Sequence, residues 1–230
     1  MKKDLNQKGF TLIELSIVLV IIGIILGAVL KGQDLLESAK AKKLSSTLNA
    51  WNALTWTYMD RMGRFPGDVS GNGVIGDVAA TEQTTAGSAI GELTALNATS
   101  NAPLNPVAIG GQSFWVYLGY DAPGGINRNV MVICVTATCA AGAAGAFTAD
   151  QVRIIQSVDT AIDGAADGGL GQVRAATAVS LAGAGTTATG RAAAAVIAVT
   201  GVNETAAGVA TAWASGGTQR AAVWLFDKPY

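Results

Sequence analysis

The sequence predicts an α+β protein in which a long N-terminal helix packs on a small antiparallel β-sheet head. A run of apolar residues at 10–30 carries a single charge, at Glu14, and no proline occurs in the first 65 residues to stop a helix. Beyond that point the chain is rich in turn residues. Short runs rich in apolar residues, such as 129–135 and 221–226, are typical of strands.

The chain is expected to have four parts, because its character changes three times. They are a leader peptide at 1–9, a membrane-spanning half of the helix at 10–30, an amphipathic half at 31–62, and a globular head with variable loops at 63–230. A chain of 230 residues is long enough for one globular domain beyond a membrane segment. A sheet of about three to five strands would cover the helix.

The apolar run is long enough to cross a membrane. Its 21 residues would span roughly 30 Å as a helix, and 15 of them are Leu, Ile, Val or Phe. These side chains favour insertion by about 4 to 9 kcal/mol. A carboxylate costs about 2.5 to 3.5 kcal/mol at the bilayer centre, so insertion is favoured even with Glu14 in place. The lysines of the leader indicate a cytoplasmic N-terminus and a head outside the cytoplasm.

The carboxylate of Glu14 has two interpretations. It could lie near the positive end of the helix dipole and reach the lipid headgroups, or it could await a partner that arrives on assembly. The leader ends in a small residue, Gly9, directly before the apolar run, whereas the cleavage site of an ordinary secretory signal follows its apolar region. Cleavage at Gly9 would leave the membrane segment on the mature protein.

The segment Lys-Gly-Phe-Thr-Leu-Ile-Glu-Leu at residues 8–15 resembles the N-terminal signature of type IV pilins and type II secretion pseudopilins. The resemblance implies cleavage after Gly9 by a prepilin peptidase and N-methylation of Phe10. It also implies that Glu14 contacts the new amino group of Phe10 on a neighbouring subunit. A carboxylate in lipid gains most from a matched cation, which favours the assembly interpretation. The family's pilin-like fold agrees with the α+β prediction.

The second half of the helix carries one apolar face. Gly63 and Pro66 are expected to end the helix. Aromatic side chains at helical spacing are more often core than ligand site, so we assign the face to the core of the head. The residues of this face recur every three or four positions: Leu44, Leu48, Trp51, Leu54 or Thr55, and Tyr58.

A polar loop follows the helix. Asp68, Ser70 and Asn72 occupy the first, third and fifth positions of a calcium-loop pattern. The twelfth position holds Ala79 instead of glutamate, and Asp77 could replace that ligand only in a different loop geometry. The favoured alternative is a loop in which Asp and Asn side chains bond their own backbone, so calcium is an optional cofactor and no cofactor is required.

The two cysteines, Cys134 and Cys139, are predicted to form a disulfide that closes a short loop after a strand. A pair of buried free thiols is the alternative. A zinc site is disfavoured, because the chain offers two thiols and no histidine.

An amphipathic helix is predicted at 149–162. Asp159, Asp163 and Asp167 follow one another at i, i+4 spacing near its C-terminal end, where the helix dipole and their mutual repulsion oppose them. Relief could come from the helix ending at Gly164, from a bound cation, or from Arg174. We favour a solvated turn with Arg174 as the counter-charge.

Composition argues against an enzyme. Histidine is absent, which removes Ser-His-Asp and Cys-His nucleophile schemes. Residues 1–62 carry eight basic and five acidic groups, and residues 63–230 carry seven and eleven. A basic stem with an acidic head is not typical of nucleic-acid binding, so no direct nucleic-acid partner is expected.

The expected function is a structural subunit of a type IV pilus-like or type II secretion pseudopilus filament, serving adhesion, motility, secretion or DNA uptake. The resemblance implies four partners: other copies or related pilins, a prepilin peptidase, an inner-membrane assembly platform, and membrane lipid before assembly. The protein would then move from the bacterial inner membrane to an extracellular or periplasmic filament. The alternative is a permanently anchored surface binding protein or adhesin that does not polymerise.

Overall fold

The computed structural model describes residues 11–68, 71–75, 89, 92–93, 103, 105–121, 128–136, 145–176, 180–182, 196–198, 213–214, 219 and 221–227. The helices described along their whole length are α1 (Leu12–Met62) and α2 (Ala149–Asp163). The strands are β1 (Val107–Ile109), β2 (Gln112–Asp121), β3 (Arg128–Cys134), β4 (Val173–Ala176), β5 (Ser180–Ala182), β6 (Val196–Ala198) and β7 (Ala221–Trp224). The predicted α+β class is confirmed.

The 51 residues of α1 form one uninterrupted helix, as the absence of proline predicts. The chain divides into two compact units between Ala39 and Lys40. Within the second unit, the predicted apolar face of α1 is buried, and at the ambiguous position it is Thr55 that is buried, while Leu54 is half-buried. Thr55 donates its hydroxyl to the carbonyl of Trp51 at 2.9 Å, which satisfies this polar group inside the core.

The end of α1 follows from its glycine. Gly63 has φ +72°, and its N–H donates to the carbonyl of Met59 at 2.8 Å. This left-handed cap is readily adopted by glycine, and Pro66 then prevents the helix from continuing.

The sheet has the strand order β4-β7-β3-β2-β6-β5, with β1 paired to β2. Its pairs are antiparallel except β2–β6, which is parallel with Gly119 opposite Ile197. Seven strands exceed the number expected from the sequence. Strands β1, β5 and β6 have three residues each, which is too short for the alternation that marks a strand in a sequence.

Both faces of the central strand β3 are buried. Met131 and Ile133 belong to the main core, together with Leu44, Leu48 and Trp51 of α1. The alternating residues Val130, Val132 and Cys134 belong to a second cluster, because successive side chains of a strand point to opposite faces of the sheet. This double burial explains why the strand is a continuous apolar run in the sequence.

The helix α2 has well-defined ends. Thr148 and Gln151 form a reciprocal capping box, in which each side chain accepts from the backbone N–H of the other. At the C-terminal end Gly164 adopts φ +80° and donates to the carbonyl of Thr160. These bounds confirm the predicted helix at 149–162, extended by one residue.

We expect Leu48→Ala to lower the free energy of unfolding of the head by about 2 to 5 kcal/mol, because the substitution leaves a cavity in the core. Thermal unfolding of the full chain in detergent micelles measures this. Leu35→Ala is the matched control on the same helix, since Leu35 is 66% exposed and Leu48 is 1% exposed. Equal destabilisation by both variants would contradict the assignment of the buried face.

Candidate functional site

The first half of α1 exposes its apolar side chains. Between Leu12 and Leu36, no described residue is buried. By length and composition α1 could cross a membrane, and its most apolar 18-residue window has no buried part. Such a surface requires an apolar surrounding, either lipid or another apolar helix.

Glu14 caps the first turn of α1. Its Oε2 accepts the backbone N–H of Thr11 and the hydroxyl of Thr11, each at 2.9 Å. The Thr11 hydroxyl in turn accepts the backbone N–H of Glu14 at 3.3 Å. This is the reciprocal arrangement of a capping box, with Thr11 as the N-cap and Glu14 three residues later. The described bonds to the carboxylate all use Oε2.

Thr11 is a site residue that our sequence analysis did not single out. The signal for it was present, because Thr-x-x-Glu before an apolar run is the sequence pattern of a capping box. Gly9 and Phe10, the predicted cleavage and methylation positions, lie outside the described residues. Cleavage and methylation therefore stay predictions.

A second polar cluster joins the end of α1 to a distant part of the head. Arg64 forms a bidentate ion pair with Glu92, with Nη2–Oε1 at 2.9 Å and Nη1–Oε2 at 3.0 Å. Oε2 of Glu92 also accepts the Tyr58 hydroxyl at 2.8 Å and the Gly67 N–H at 2.9 Å. No sequence signal pointed to this cluster, because its residues are up to 34 positions apart.

The electrostatics of this cluster follow from burial and hydrogen bonding. Burial, aided by the hydrogen bond to Glu92, raises the pKa of Tyr58 to about 12. Burial also opposes ionisation of Glu92, but the hydrogen bonds from Arg64, Gly67 and Tyr58 outweigh it and lower the pKa of Glu92. The cluster therefore holds an ionised glutamate beside a neutral tyrosine at neutral pH.

The proposed calcium loop is bonded to its own backbone. Asp68 is fully buried, and its Oδ1 accepts the N–H groups of Gly71 at 2.7 Å and Asn72 at 3.1 Å. Its Oδ2 accepts the N–H of Gly73 at 2.8 Å. The buried carboxylate of Asp68 is therefore satisfied by backbone N–H groups of its own loop. This is the loop geometry that we favoured over a calcium site.

The calcium site itself stays a prediction. Ser70 and Asp77 lie outside the described residues. Across the parts of the chain that are described, no three acidic, cysteine or histidine side chains form a group that could hold a metal ion.

Asn129 attaches this loop to the sheet. Its Oδ1 accepts the N–H of Ile75 at 2.8 Å, and its Nδ2 donates to the carbonyl of Gly73 at 2.9 Å. The backbone N–H of Asn129 donates to Asp227 Oδ2 at 2.7 Å, which connects the start of β3 to the segment after β7. Through its side chain and its backbone N–H, Asn129 thus joins the loop, the start of β3 and the segment after β7.

Cys134 is buried at the end of β3, and its predicted partner, Cys139, lies outside the described residues. No cysteine is free among the residues that the structure describes. The disulfide between the two stays a prediction.

Residues 4–30 match the family model for the prokaryotic N-terminal methylation motif, which is the type IV pilin and pseudopilin signature. The motif indicates a structural protein rather than an enzyme, and with the exposed apolar helix it fits a membrane-anchored precursor. No curated protein and no solved structure matches the chain.

We expect Glu92→Gln to lower the free energy of unfolding by about 1 to 3 kcal/mol at pH 7, because Arg64 loses its charged partner. Since folding lowers the pKa of Glu92, its contribution is present above the ordinary carboxyl range and is lost as pH falls through the folded pKa. Thermal unfolding at several pH values measures the difference between wild type and variant, which should vanish in acid.

The control for this experiment is Asp150→Asn, which removes an exposed ion pair to Arg153 with an N–O distance of 3.7 Å. Exposed pairs of this kind contribute at most about 1 kcal/mol. A Glu92→Gln variant as stable as Asp150→Asn at pH 7 would show that the cluster does not stabilise the head.

Proposed function

We propose that this protein is a structural subunit of a type IV pilus-like or type II secretion pseudopilus filament. The observation that carries the proposal is the first half of α1, which combines the methylation motif with an apolar surface that has no buried residue between Leu12 and Leu36. A prepilin peptidase would cleave after Gly9, and Phe10 would be N-methylated. An inner-membrane assembly platform would then transfer the subunit from the membrane to a filament of its own copies or of related pilins.

The exposed apolar surface supports this route from membrane to filament. In the membrane, lipid tails cover the side chains of residues 12–30. In the filament, the same side chains would contact the helices of neighbouring subunits. Both surroundings are apolar, so the transfer has little net hydrophobic cost, and polar groups are left to determine the register between neighbours.

Glu14 is the polar group suited to determine the register between neighbouring subunits. Its carboxylate lies in an apolar segment and is held through Oε2 by Thr11 of the same chain. The amino group of Phe10 on a neighbouring subunit would add the cation that the carboxylate otherwise lacks. An ion pair in an apolar surrounding is strongly dependent on position, because a displaced partner leaves a buried charge uncompensated.

We expect Glu14→Ala to leave the protein in the membrane and to lower its incorporation into filaments at least about tenfold, because the ion pair that sets the register between subunits is lost. Fractionation of cells and immunoblotting of sheared filaments measure the two pools. Asp34→Ala is the matched control, since Asp34 is an exposed acid on the same helix beyond the apolar run. Normal filament yield from Glu14→Ala would refute the assembly role.

The mass of the mature N-terminal peptide provides a second test. We expect a peptide that starts at Phe10 and carries one added methyl group. A peptide that starts at Met1 would instead support the permanently anchored surface protein or adhesin.

A further inference from the structure

Asp159 is a buried acid with an incomplete set of hydrogen bonds. It lies on α2 with none of its surface exposed, and its Oδ2 accepts the indole N–H of Trp213 at 2.7 Å. Trp213 is itself buried and packs edge-on against Phe147, with 6.3 Å between the ring centroids. Oδ1 of Asp159 is buried and has no hydrogen-bond donor among the described residues. A buried carboxylate oxygen without a donor is costly when it carries charge.

The groups around Asp159 are acidic. Asp163, one helical turn later, accepts the N–H of Gln172 at 2.8 Å and the N–H of Val173 at 2.8 Å. Asp167, in the loop after α2, accepts the N–H groups of Gly169 and Leu170.

Arg174 does not supply the counter-charge that the sequence suggested. Its Nε donates instead to the carbonyl of Gly171 at 3.1 Å. Within the described part of the chain, none of the carboxylates Asp159, Asp163 and Asp167 forms an ion pair with a cation. Backbone N–H groups bond to Asp163 and Asp167 instead, and the helix ends at Gly164 directly after Asp163.

We propose that Asp159 and Asp163 share one proton, and that loss of this proton as pH rises loosens the corner between α2 and β4. In the protonated state, Oδ1 of Asp159 donates to the carboxylate of Asp163, so every polar atom of the pair is satisfied. In the ionised state, two negative charges lie one turn apart inside the head. The proposal is independent of filament assembly, because it concerns packing within one subunit.

The energetics support this arrangement. Burial raises the pKa of Asp159 to about 7, and the neighbouring Asp163 and Asp167 act in the same direction against the hydrogen bond from Trp213. The raised pKa means that Asp159 binds its proton more tightly in the folded state than in the unfolded state. The bound proton therefore stabilises the fold, and this contribution to the free energy of unfolding is complete below the ordinary aspartate range. It is lost as pH rises towards 7, and the loss is complete once the folded state has also ionised.

We expect loss of the proton to change the structure at the start of β4. The backbone N–H groups of Gln172 and Val173 bond to Asp163, and β4 lies at an edge of the sheet where β7 is its partner. An edge strand with a single neighbour has less support than a central strand, so repulsion at Asp163 would move this segment rather than β3.

The test uses the full chain in detergent micelles with ¹³C-labelled aspartate and ¹⁵N-labelled backbone. We expect the Asp159 carboxyl to titrate with a midpoint near 7, and the amide shifts of Gln172 and Val173 to follow the same midpoint. A carboxyl that titrates in the ordinary aspartate range, or amides that do not respond near pH 7, would overturn the proposal.

Two variants and a control extend the test. In Asp159→Asn, the amide shifts should lose their response near pH 7. We also compare the folding equilibrium constants of the two proteins. The wild-type constant, relative to that of Asp159→Asn, should fall about tenfold per pH unit between the ordinary aspartate range and pH 7.

Trp213→Phe should raise the midpoint pH of the Asp159 titration, because the indole N–H that stabilises the ionised carboxylate is lost. This variant tests the proposal even where Asp159→Asn does not fold. Asp150→Asn, on the exposed first turn of α2, should leave the midpoint unchanged; a midpoint that moved equally in this control would also overturn the proposal.

Discussion

The structure depends on one constraint, which is that the two halves of α1 require different surroundings. From Ala41 onward, one face of the helix is buried in the core of the head, with Leu44, Leu48 and Trp51 among the core residues. Between Leu12 and Leu36, the large apolar side chains are exposed. Burial of apolar area stabilises the second half within the head, while the first half would gain the same stabilisation from lipid or from another apolar helix.

The effect of Glu14 depends on which surrounding the first half of α1 has. In water, its capping box with Thr11 would be an ordinary helix start. In an apolar surrounding, the backbone N–H and the hydroxyl of Thr11 both donate to Oε2 and hold the charge at a fixed position. This local capping of the helix start is compatible with the methylation motif at residues 4–30.

Two acidic residues hold loops of the head in the same way, because one carboxylate accepts several hydrogen bonds. Asp68 accepts three backbone N–H groups, and Glu92 joins a backbone N–H to a tyrosine and an arginine. Asp159 departs from this pattern, because one of its oxygens has no donor in the described chain and its neighbours are acids. That departure distinguishes Asp159, whose pKa burial raises to about 7, from Glu92, whose hydrogen bonds lower its pKa.

The sequence by itself determined the features that depend on neighbours along the chain. These are the continuous helix α1, its end at Gly63, its buried face, the bounds of α2, and the position of Glu14 near the start of an apolar helix. Each of these features depends on residues one to four positions apart, so the spacing of residues along the sequence is enough to predict it. Only the tertiary structure decided the polar pairs Arg64–Glu92, Asn129–Asp227 and Asp159–Trp213, and it replaced the expected Arg174 contact with backbone bonds. The reason is physical: a polar side chain is satisfied by whichever donors or acceptors burial brings beside it, and that choice is made by the packing of segments up to 98 residues apart.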